Sequence, residues 1–188
     1  MLEKCILPVF ETDERQSIGG QCFVVGANLM TAAHVVDNLY RPYVMWNEHK
    51  FYLTKDNAAI YSNNRSEDED IAIFSMQEIN SPLHFIELSS SEQELTCFSV
   101  KKVDAQTNQL EIHSSAAHIL SVASNKAIIC ELNPMLCECD SGSPVITENY
   151  EVIGMLVGGV GDAPCNNICG FQSAAFIKDL INQQHRFK

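Results

Sequence analysis

Residues 137–144 read Cys-Glu-Cys-Asp-Ser-Gly-Ser-Pro, and this stretch indicates the fold and chemistry of the whole chain. A serine between an aspartate and a glycine, shortly before a proline, is typical of a tight, exposed turn. A hydroxyl held out on such a turn can act as a nucleophile. At neutral pH it then needs a nearby base, a carboxylate that orients the base, and backbone N–H groups aimed at the developing oxyanion.

Candidates for the base and the carboxylate lie upstream, each beside a strand-like run. His34 follows the run 29–33, Leu-Met-Thr-Ala-Ala. Asp70 immediately precedes the apolar run 71–74, Ile-Ala-Ile-Phe. A carboxylate there would be partly buried and would accept a hydrogen bond from the imidazole, which fixes the tautomer. We interpret His34 as a general base and Asp70 as its orienting acid. The alternative for His34 is a structural histidine. Glu67, Asp68 and Glu69 are rival candidates for the acid, and the run of charges 67–70 could also be only a solvated face.

The composition suits a globular chain with a sizeable core and limits the classes of partner. Of the 188 residues, 46% are apolar, and 24 acidic residues outnumber 12 Lys and Arg. This balance disfavours nucleic acid and anionic membranes as partners, because phosphate binding needs clustered cations. No run approaches the ~20 apolar residues of a membrane span, and the N-terminus lacks the layout of a signal peptide. We therefore expect a cytoplasmic protein, with secretion or delivery into a host as alternatives.

Short apolar runs separated by turn residues predict two sets of strands. The segment 63–69 is polar and acidic and predicts an exposed loop, whereas 174–184 has helical spacing. Six strands around turns suggest a small barrel, so we predict an all-β fold of two six-stranded antiparallel β-barrels with a C-terminal helix. The predicted domains are 1–88 and 95–188, with a connector between them. The predicted strands are 6–10, 22–25, 43–46, 51–53, 71–74 and 85–88, then 96–103, 110–113, 118–122, 127–132, 144–147 and 152–160.

The order His34, Asp70, Ser141, each beside a strand-like run, resembles the chymotrypsin-like serine protease superfamily. Ser141 matches the nucleophile in the Gly-Asp-Ser-Gly-Gly-Pro motif of that superfamily. The resemblance implies a trypsin-like serine endopeptidase that works through an acyl-enzyme, with His34 and Asp70 on the first barrel and Ser141 on the second. It also implies protein or peptide substrates, no cofactor and no catalytic metal, and we expect a monomer.

Cys139 departs from the superfamily motif at a sensitive position. It replaces the glycine whose N–H, together with that of Ser141, forms the oxyanion hole in the relatives. The resemblance assigns the same role to the N–H groups of Cys139 and Ser141. Cysteine avoids backbone angles that glycine adopts, so a flipped peptide between residues 138 and 139 would point a carbonyl into the hole. Ser143 also replaces a glycine, which is a milder change.

The runs 152–159 and 170–175 resemble the strand pair that walls the specificity pocket in picornavirus main proteases and glutamyl endopeptidases. In those enzymes a histidine in the pocket recognises a glutamine or glutamate of the substrate, and this chain has Leu156 at that position. Met135 stands where trypsin-like enzymes carry an aspartate for basic substrates. We therefore expect an apolar pocket and cleavage after an apolar residue. The expected lining residues are Met135, Leu156, Gly158, Gly159 and Gly170.

Eight cysteines leave three interpretations open. We expect reduced thiols first, a disulfide second and zinc third. The resemblance implies that Cys137 and Cys165 would be the disulfide partners. A Cys-x-Cys plus Cys-x3-Cys set could supply four thiolates to zinc, from Cys137, Cys139, Cys165 and Cys169. The other four lie in or beside apolar runs, where cysteine behaves as a small hydrophobe: Cys5, Cys22, Cys97 and Cys130.

Two functions compete with the enzyme hypothesis. A catalytically silent relative would bind peptides or a partner protein in the same cleft, and Cys139 favours it. The presence of all three triad residues favours the enzyme. A zinc-stapled interaction module is the third interpretation, and loss of folding with a chelator would reveal it.

Overall fold

Fourteen strands and two α-helices make up the part of the chain that the structure describes. The structure is a computed structural model, and the described residues are 2–12, 17–76, 81–86, 94–103, 110–135, 138–159 and 167–186. The strands form two sheets of seven. No helix among these residues is long and apolar enough to cross a membrane.

The first sheet is an open half-barrel with the strand order β5-β4-β1-β2-β3-β7-β6. Helix α1 (Ala33–Asn38) follows β3 directly. Strands β2 and β7 are buried almost throughout, because residues of the second sheet and the C-terminal helix join the same hydrophobic core. The strands are β1 (Ile6–Phe10), β2 (Ile18–Val25), β3 (Asn28–Thr31), β4 (Tyr43–Trp46), β5 (His49–Tyr52), β6 (Ile60–Asn64) and β7 (Glu69–Ser75).

The second sheet closes into a six-stranded barrel, because its first and sixth strands, β12 and β13, also pair with each other. A short extra strand, β8, runs parallel to β13. Helix α2 (Ala174–Arg186) follows the last strand. The strands are β8 (His84–Phe85), β9 (Leu95–Val103), β10 (Leu110–Val122), β11 (Ala127–Asn133), β12 (Pro144–Thr147), β13 (Glu151–Gly159) and β14 (Ile168–Ser173).

The predicted all-β, two-barrel fold with a C-terminal helix is therefore confirmed, with differences in detail. The first sheet has seven strands and stays open. Asn63 and Asn64 belong to β6, which pairs with β7, so the predicted loop 63–69 is partly strand. The predicted strands 110–113 and 118–122 are one strand, β10, because the small residues between them keep their pairing with β9.

The predicted strand at 85–88 overlaps the observed β8 (His84–Phe85) only at Phe85, and residues 87 and 88 lie outside the described residues. Strand β8 pairs with the second sheet although it precedes the predicted boundary at residue 88. Residues 87–93, which include most of the predicted connector, lie outside the described residues. The two domain ranges stay a prediction.

Gly142 fixes how the second barrel meets the first. Its φ is +92°, and a Cβ there would lie 2.0 Å from the Gln21 carbonyl oxygen and 2.7 Å from Thr31 Oγ1. The Thr31 hydroxyl donates to that carbonyl at 2.7 Å, and the Gln21 N–H donates to the Ser141 carbonyl at 2.8 Å. The turn at Ser141 therefore packs directly on β2 and β3, with no room for a side chain.

Replacing Gly142 by alanine should destabilise the fold more than the same change at Gly26. Both glycines have positive φ, but a Cβ at Gly26 would meet nothing within 4 Å. We expect Gly26→Ala to cost about 1 kcal/mol from backbone strain alone, and Gly142→Ala to cost about 3 kcal/mol because a backbone clash adds to the strain. Urea unfolding of both variants measures the difference. Equal losses would contradict the close packing at Gly142.

Candidate active site

His34 and Asp70 form a two-point contact at the beginning of strand β7 in the first sheet. The His34 Nδ1 and Asp70 Oδ2 atoms are 2.6 Å apart, and the His34 backbone N–H donates to Asp70 Oδ1 at 2.8 Å. Asp70 is buried, with 3% of its surface exposed. An ionised carboxylate only accepts hydrogen bonds, so in this contact Nδ1 carries a proton and donates it, which leaves Nε2 on the side of the ring away from Asp70.

Local sequence explains why these two residues meet. Strand β3 pairs with β7 up to Thr31 opposite Ala72, and the chain then turns into helix α1, which carries His34 as its second residue. Asp70 lies two residues before Ala72 on β7. Because α1 starts where the ladder ends, the imidazole comes to lie beside this carboxylate.

The main chain of Asp70 is held by Gln172, a residue that sequence reasoning missed. The Asp70 N–H donates to Gln172 Oε1 at 2.9 Å. Gln172 Nε2 donates to the carbonyls of Asp68 at 2.8 Å and Lys126 at 2.9 Å. The available signal was a lone amide in a strand that is otherwise apolar and small, since buried polar groups need partners.

Ser141 lies on the turn after a short 3-10 helix, Glu138–Asp140. It is 6% exposed, and its hydroxyl donates to the Val157 carbonyl at 3.0 Å. A Cβ at Gly20 would touch both the Val35 side chain and the Ser141 carbonyl oxygen. The structure thus brings the Ser141 backbone to the strand that faces α1, but the hydroxyl bonds Val157 rather than the imidazole.

The two predicted oxyanion residues lie in the same turn. A 3-10 helix pairs the carbonyl of one residue with the N–H three residues later, which for Glu138 is the N–H of Ser141. The Cys139 carbonyl accepts a hydrogen bond from Gln21 Nε2 at 3.1 Å. The geometry of a 3-10 turn thus directs a carbonyl, rather than an empty space, towards the Ser141 N–H, and the oxyanion roles of Cys139 and Ser141 stay predictions.

The predicted pocket residues occupy different environments. Leu156 is 2% exposed and belongs to the core of the second barrel, opposite Phe171. Met135 is 45% exposed. Gly158 lies opposite Gly170 across β13 and β14. A Cβ at Gly158 or Gly159 would meet no atom within 4 Å. Gly158 and Gly159 therefore border open space, whereas Leu156 offers little surface.

Six cysteines lie in the described part of the chain, and all six are thiols rather than disulfides. Cys5, Cys22, Cys97 and Cys130 are buried, as expected for small hydrophobes. Burial raises the pKa of Cys130 to about 12, so this thiol stays protonated. No group of three or more potential metal ligands is found among the described residues. Cys137 and Cys165, the implied disulfide partners, lie outside them.

A salt bridge flanks Asp70 and joins the two barrels. Lys126, which follows β10, has its Nζ 2.6 Å from Glu69 Oε1 on β7, and the Ser62 hydroxyl donates to Glu69 Oε2 at 2.6 Å. The hydrogen bond from Lys126 is the largest cause that holds the pKa of Glu69 below its usual value. The same contact raises the pKa of Lys126.

The two barrels and a histidine–carboxylate pair beside a serine turn define a chymotrypsin-like peptidase fold. The chain belongs to the trypsin-like peptidase domain family, whose sequence profile matches residues 20–155. The resemblance noted in the sequence is therefore confirmed, and the chain is a peptidase with protein or peptide substrates. No curated protein sequence matches this chain.

Solved structures of proteases share the fold at low sequence identity. The active form of the M. tuberculosis protease Rv3671c has 18% identity and a TM-score of 0.66, and the match covers 96% of this chain and 80% of that one. Kallikrein-related peptidase 10 in complex with Zn²⁺ has 16% identity, a TM-score of 0.69 and coverage of 99% and 97%. A catalytically inactive tobacco etch virus protease with substrate has 14% identity, a TM-score of 0.65 and coverage of 97% and 84%.

The Glu69–Lys126 salt bridge should make stability depend on pH. Because the pKa of Glu69 is lowered from 4.5, its contribution is complete above that pH and is lost as the pH falls through the folded-state value. Glu69→Gln should therefore flatten the acid side of the curve of unfolding free energy against pH, measured by urea unfolding. The matched control is Glu148→Gln on the exposed turn after β12, which should follow wild type. An unchanged acid slope in Glu69→Gln would contradict this prediction.

Proposed function

We propose that the chain is a serine endopeptidase in which Ser141, His34 and Asp70 act together. Ser141 Oγ attacks the scissile carbonyl and forms a bond to its carbon, while its proton passes to His34 Nε2. The imidazolium then gives that proton to the leaving amine, and water releases the acyl group by the reverse steps. Asp70 keeps the proton on Nδ1 and stabilises the imidazolium. The observation that carries the proposal is the two-point bond between His34 and Asp70.

The proposal requires two local rearrangements at the serine turn. The Ser141 hydroxyl has to leave the Val157 carbonyl, and the turn Glu138–Asp140 has to open so that the N–H groups of Cys139 and Ser141 can bind the oxyanion. Neither change requires movement of the barrels, because Gly142 and Gln21 anchor the turn on its inner side. An internal bond of a hydroxyl is worth about 1 kcal/mol net, which substrate binding can offset.

The second candidate function is a silent peptidase-like domain that binds peptides in the cleft. One observation favours it: the hydroxyl of Ser141 has an internal partner in Val157, and the 3-10 turn Glu138–Asp140 directs the Glu138 carbonyl towards the Ser141 N–H. The same contacts that a resting enzyme would release would be permanent in such a domain. Reactivity of Ser141 therefore distinguishes the two functions.

An apolar specificity pocket is part of the proposal. Gly158 and Gly170 lie opposite each other without side chains, and the other two predicted pocket residues, Leu156 and Met135, are uncharged. A buried or half-buried pocket without a counter-ion disfavours charged residues, because an unpaired charge is costly to desolvate. Cleavage should thus follow an apolar residue of the substrate.

A fluorophosphonate probe should label wild type at Ser141, because the probe captures activated serines. Labelling should disappear in Ser141→Ala and fall by about 10³-fold or more in His34→Ala. The matched control is Ser143→Ala, two residues further on, where the hydroxyl is buried and lacks a hydrogen-bond partner among the described residues. This control should fold and label like wild type, with peptide mapping of the modified residue as the readout. Absence of labelling in folded wild type would favour the silent domain.

A peptide library should give a cleavage profile dominated by apolar residues before the scissile bond. Gly159→Val should shift this preference towards smaller residues, since a Cβ at Gly159 would meet no atom within 4 Å and a new side chain there would enter the open space beside it. Mass spectrometry of the cleaved library measures both profiles. A profile dominated by Arg, Lys, Glu or Gln would refute the apolar pocket.

A further inference from the structure

We propose that Gln172 is a positioning residue for Asp70, which it holds in register with His34 from across the seam between the barrels. This inference rests on the proposed function, because a register error at Asp70 matters most if His34 is the catalytic base. Gln172 lies on β14 of the second barrel, whereas Asp70 starts the apolar part of β7 on the first.

The contacts of Gln172 determine how its amide is oriented. The side chain is buried, and its residue is 1% exposed. One oxygen faces the Asp70 N–H, and the nitrogen faces the carbonyls of Asp68 and Lys126. An amide nitrogen has two N–H donors and no acceptor. The reversed orientation would set a donor against a donor and an acceptor against two acceptors, so only this orientation satisfies all three neighbours.

Gln172 takes the place of a strand neighbour that is missing on one side of Asp70; on the other side Asp70 pairs with Asn63 of β6. The β3–β7 ladder ends at Thr31 opposite Ala72, because the chain turns into α1 beyond it. Asp70, two residues further along β7, is past the end of that ladder. The Gln172 side chain supplies an acceptor there, so Asp70 stays in the extended backbone that directs its carboxylate to His34.

A displacement of Asp70 would also displace the imidazole of His34. Both carboxylate oxygens of Asp70 bond His34, one through Nδ1 and one through the backbone N–H. Without Gln172, the buried Asp70 N–H would lack its acceptor, which costs free energy and favours a shift of the backbone. Because catalysis depends steeply on the placement of reacting groups, even a small shift should reduce turnover.

Gln184 provides a matched control. It lies on α2 after the second barrel, and its Nε2 donates to the Ala59 carbonyl of the first barrel at 3.3 Å. It therefore makes the same kind of side-chain contact between the two halves of the chain, without touching Asp70. Methionine has nearly the length of glutamine and removes the amide from either site.

Kinetics of the full chain with a cleaved peptide tests the proposal. Gln172→Met should lower kcat by about 10- to 100-fold, with KM within about twofold of wild type, because Gln172 acts through Asp70 and not on the substrate. Gln184→Met should keep both constants near wild type. An unchanged kcat in folded Gln172→Met, a rise in KM in place of the loss in kcat, or an equal loss in Gln184→Met would each overturn the proposal.

A spectroscopic test separates this inference from the proposed function. The proton of His34 Nδ1–H, in a short bond to a carboxylate, should give a far-downfield ¹H NMR signal in the Ser141→Ala background, where no turnover occurs. Adding Gln172→Met should shift or broaden this signal, and adding Gln184→Met should not. If the position and width of this signal do not change in Gln172→Met, the inference is overturned even if the enzyme is a serine peptidase. A signal that responds, in a chain without probe labelling, supports the positioning contact and refutes the proposed function.

Folding of the variants is checked by thermal unfolding. If Gln172→Met does not fold, Gln172→Asn takes its place, because it keeps the polar amide but is one methylene too short to reach Asp70 and the two carbonyls together. The same loss in kcat and the same change in the His34 signal are expected. Wild-type values in folded Gln172→Asn would overturn the proposal.

Discussion

The contacts of one buried glutamine, Gln21, set how the two halves of the site meet. Its side chain accepts a hydrogen bond from the Val100 N–H at 2.9 Å and donates to the carbonyls of Val100 at 2.9 Å and Cys139 at 3.1 Å. Its main chain bonds Thr31 and Ser141. Hydrophobic packing between barrels is non-directional, whereas these bonds have preferred lengths and angles. Gln21 therefore fixes the register of the serine turn against the sheet that leads to His34.

Gln172 holds the backbone of Asp70 in place, as Gln21 holds the serine turn. Each is a buried amide that reaches from one barrel to the backbone of the other, and each is satisfied at both its oxygen and its nitrogen. A half-satisfied amide at either place would be costly in a low-dielectric interior. The Glu69–Lys126 salt bridge is a third polar contact between the two barrels, and both of its side chains are partly exposed. The site thus lies between polar contacts that keep the barrels in one relative position.

The sequence predicted the strands and site residues that a local pattern marks. It did not predict structure that depends on partners far away along the chain. Alternating and apolar runs located most strands, and the flanks of His34 and Asp70 led to two residues that the structure brings together at 2.6 Å. Strand β6 was missed because its last residues, Asn63 and Asn64, are polar and exposed and owe their conformation to pairing with β7. A lone amide in an apolar strand marks Gln172 as a residue that needs partners, but nothing local identifies the side-chain partners of Gln21 and Gln172, which lie 46 to 118 residues away along the chain.

The hydrogen bond between the Ser141 hydroxyl and the Val157 carbonyl is weak compared with the transition-state stabilisation that the proposed catalysis would provide. Releasing the hydroxyl from Val157 costs about 1 kcal/mol, the net value of an ordinary hydrogen bond. A single oxyanion donor stabilises the transition state by about 3 kcal/mol. In the proposed enzyme, the stabilisation of the oxyanion would thus exceed the cost of releasing the hydroxyl, provided that Cys139 can adopt the backbone angles that open the turn Glu138–Asp140. That condition separates the proposed enzyme from the silent domain, because cysteine, unlike glycine, makes this conformation unfavourable without forbidding it.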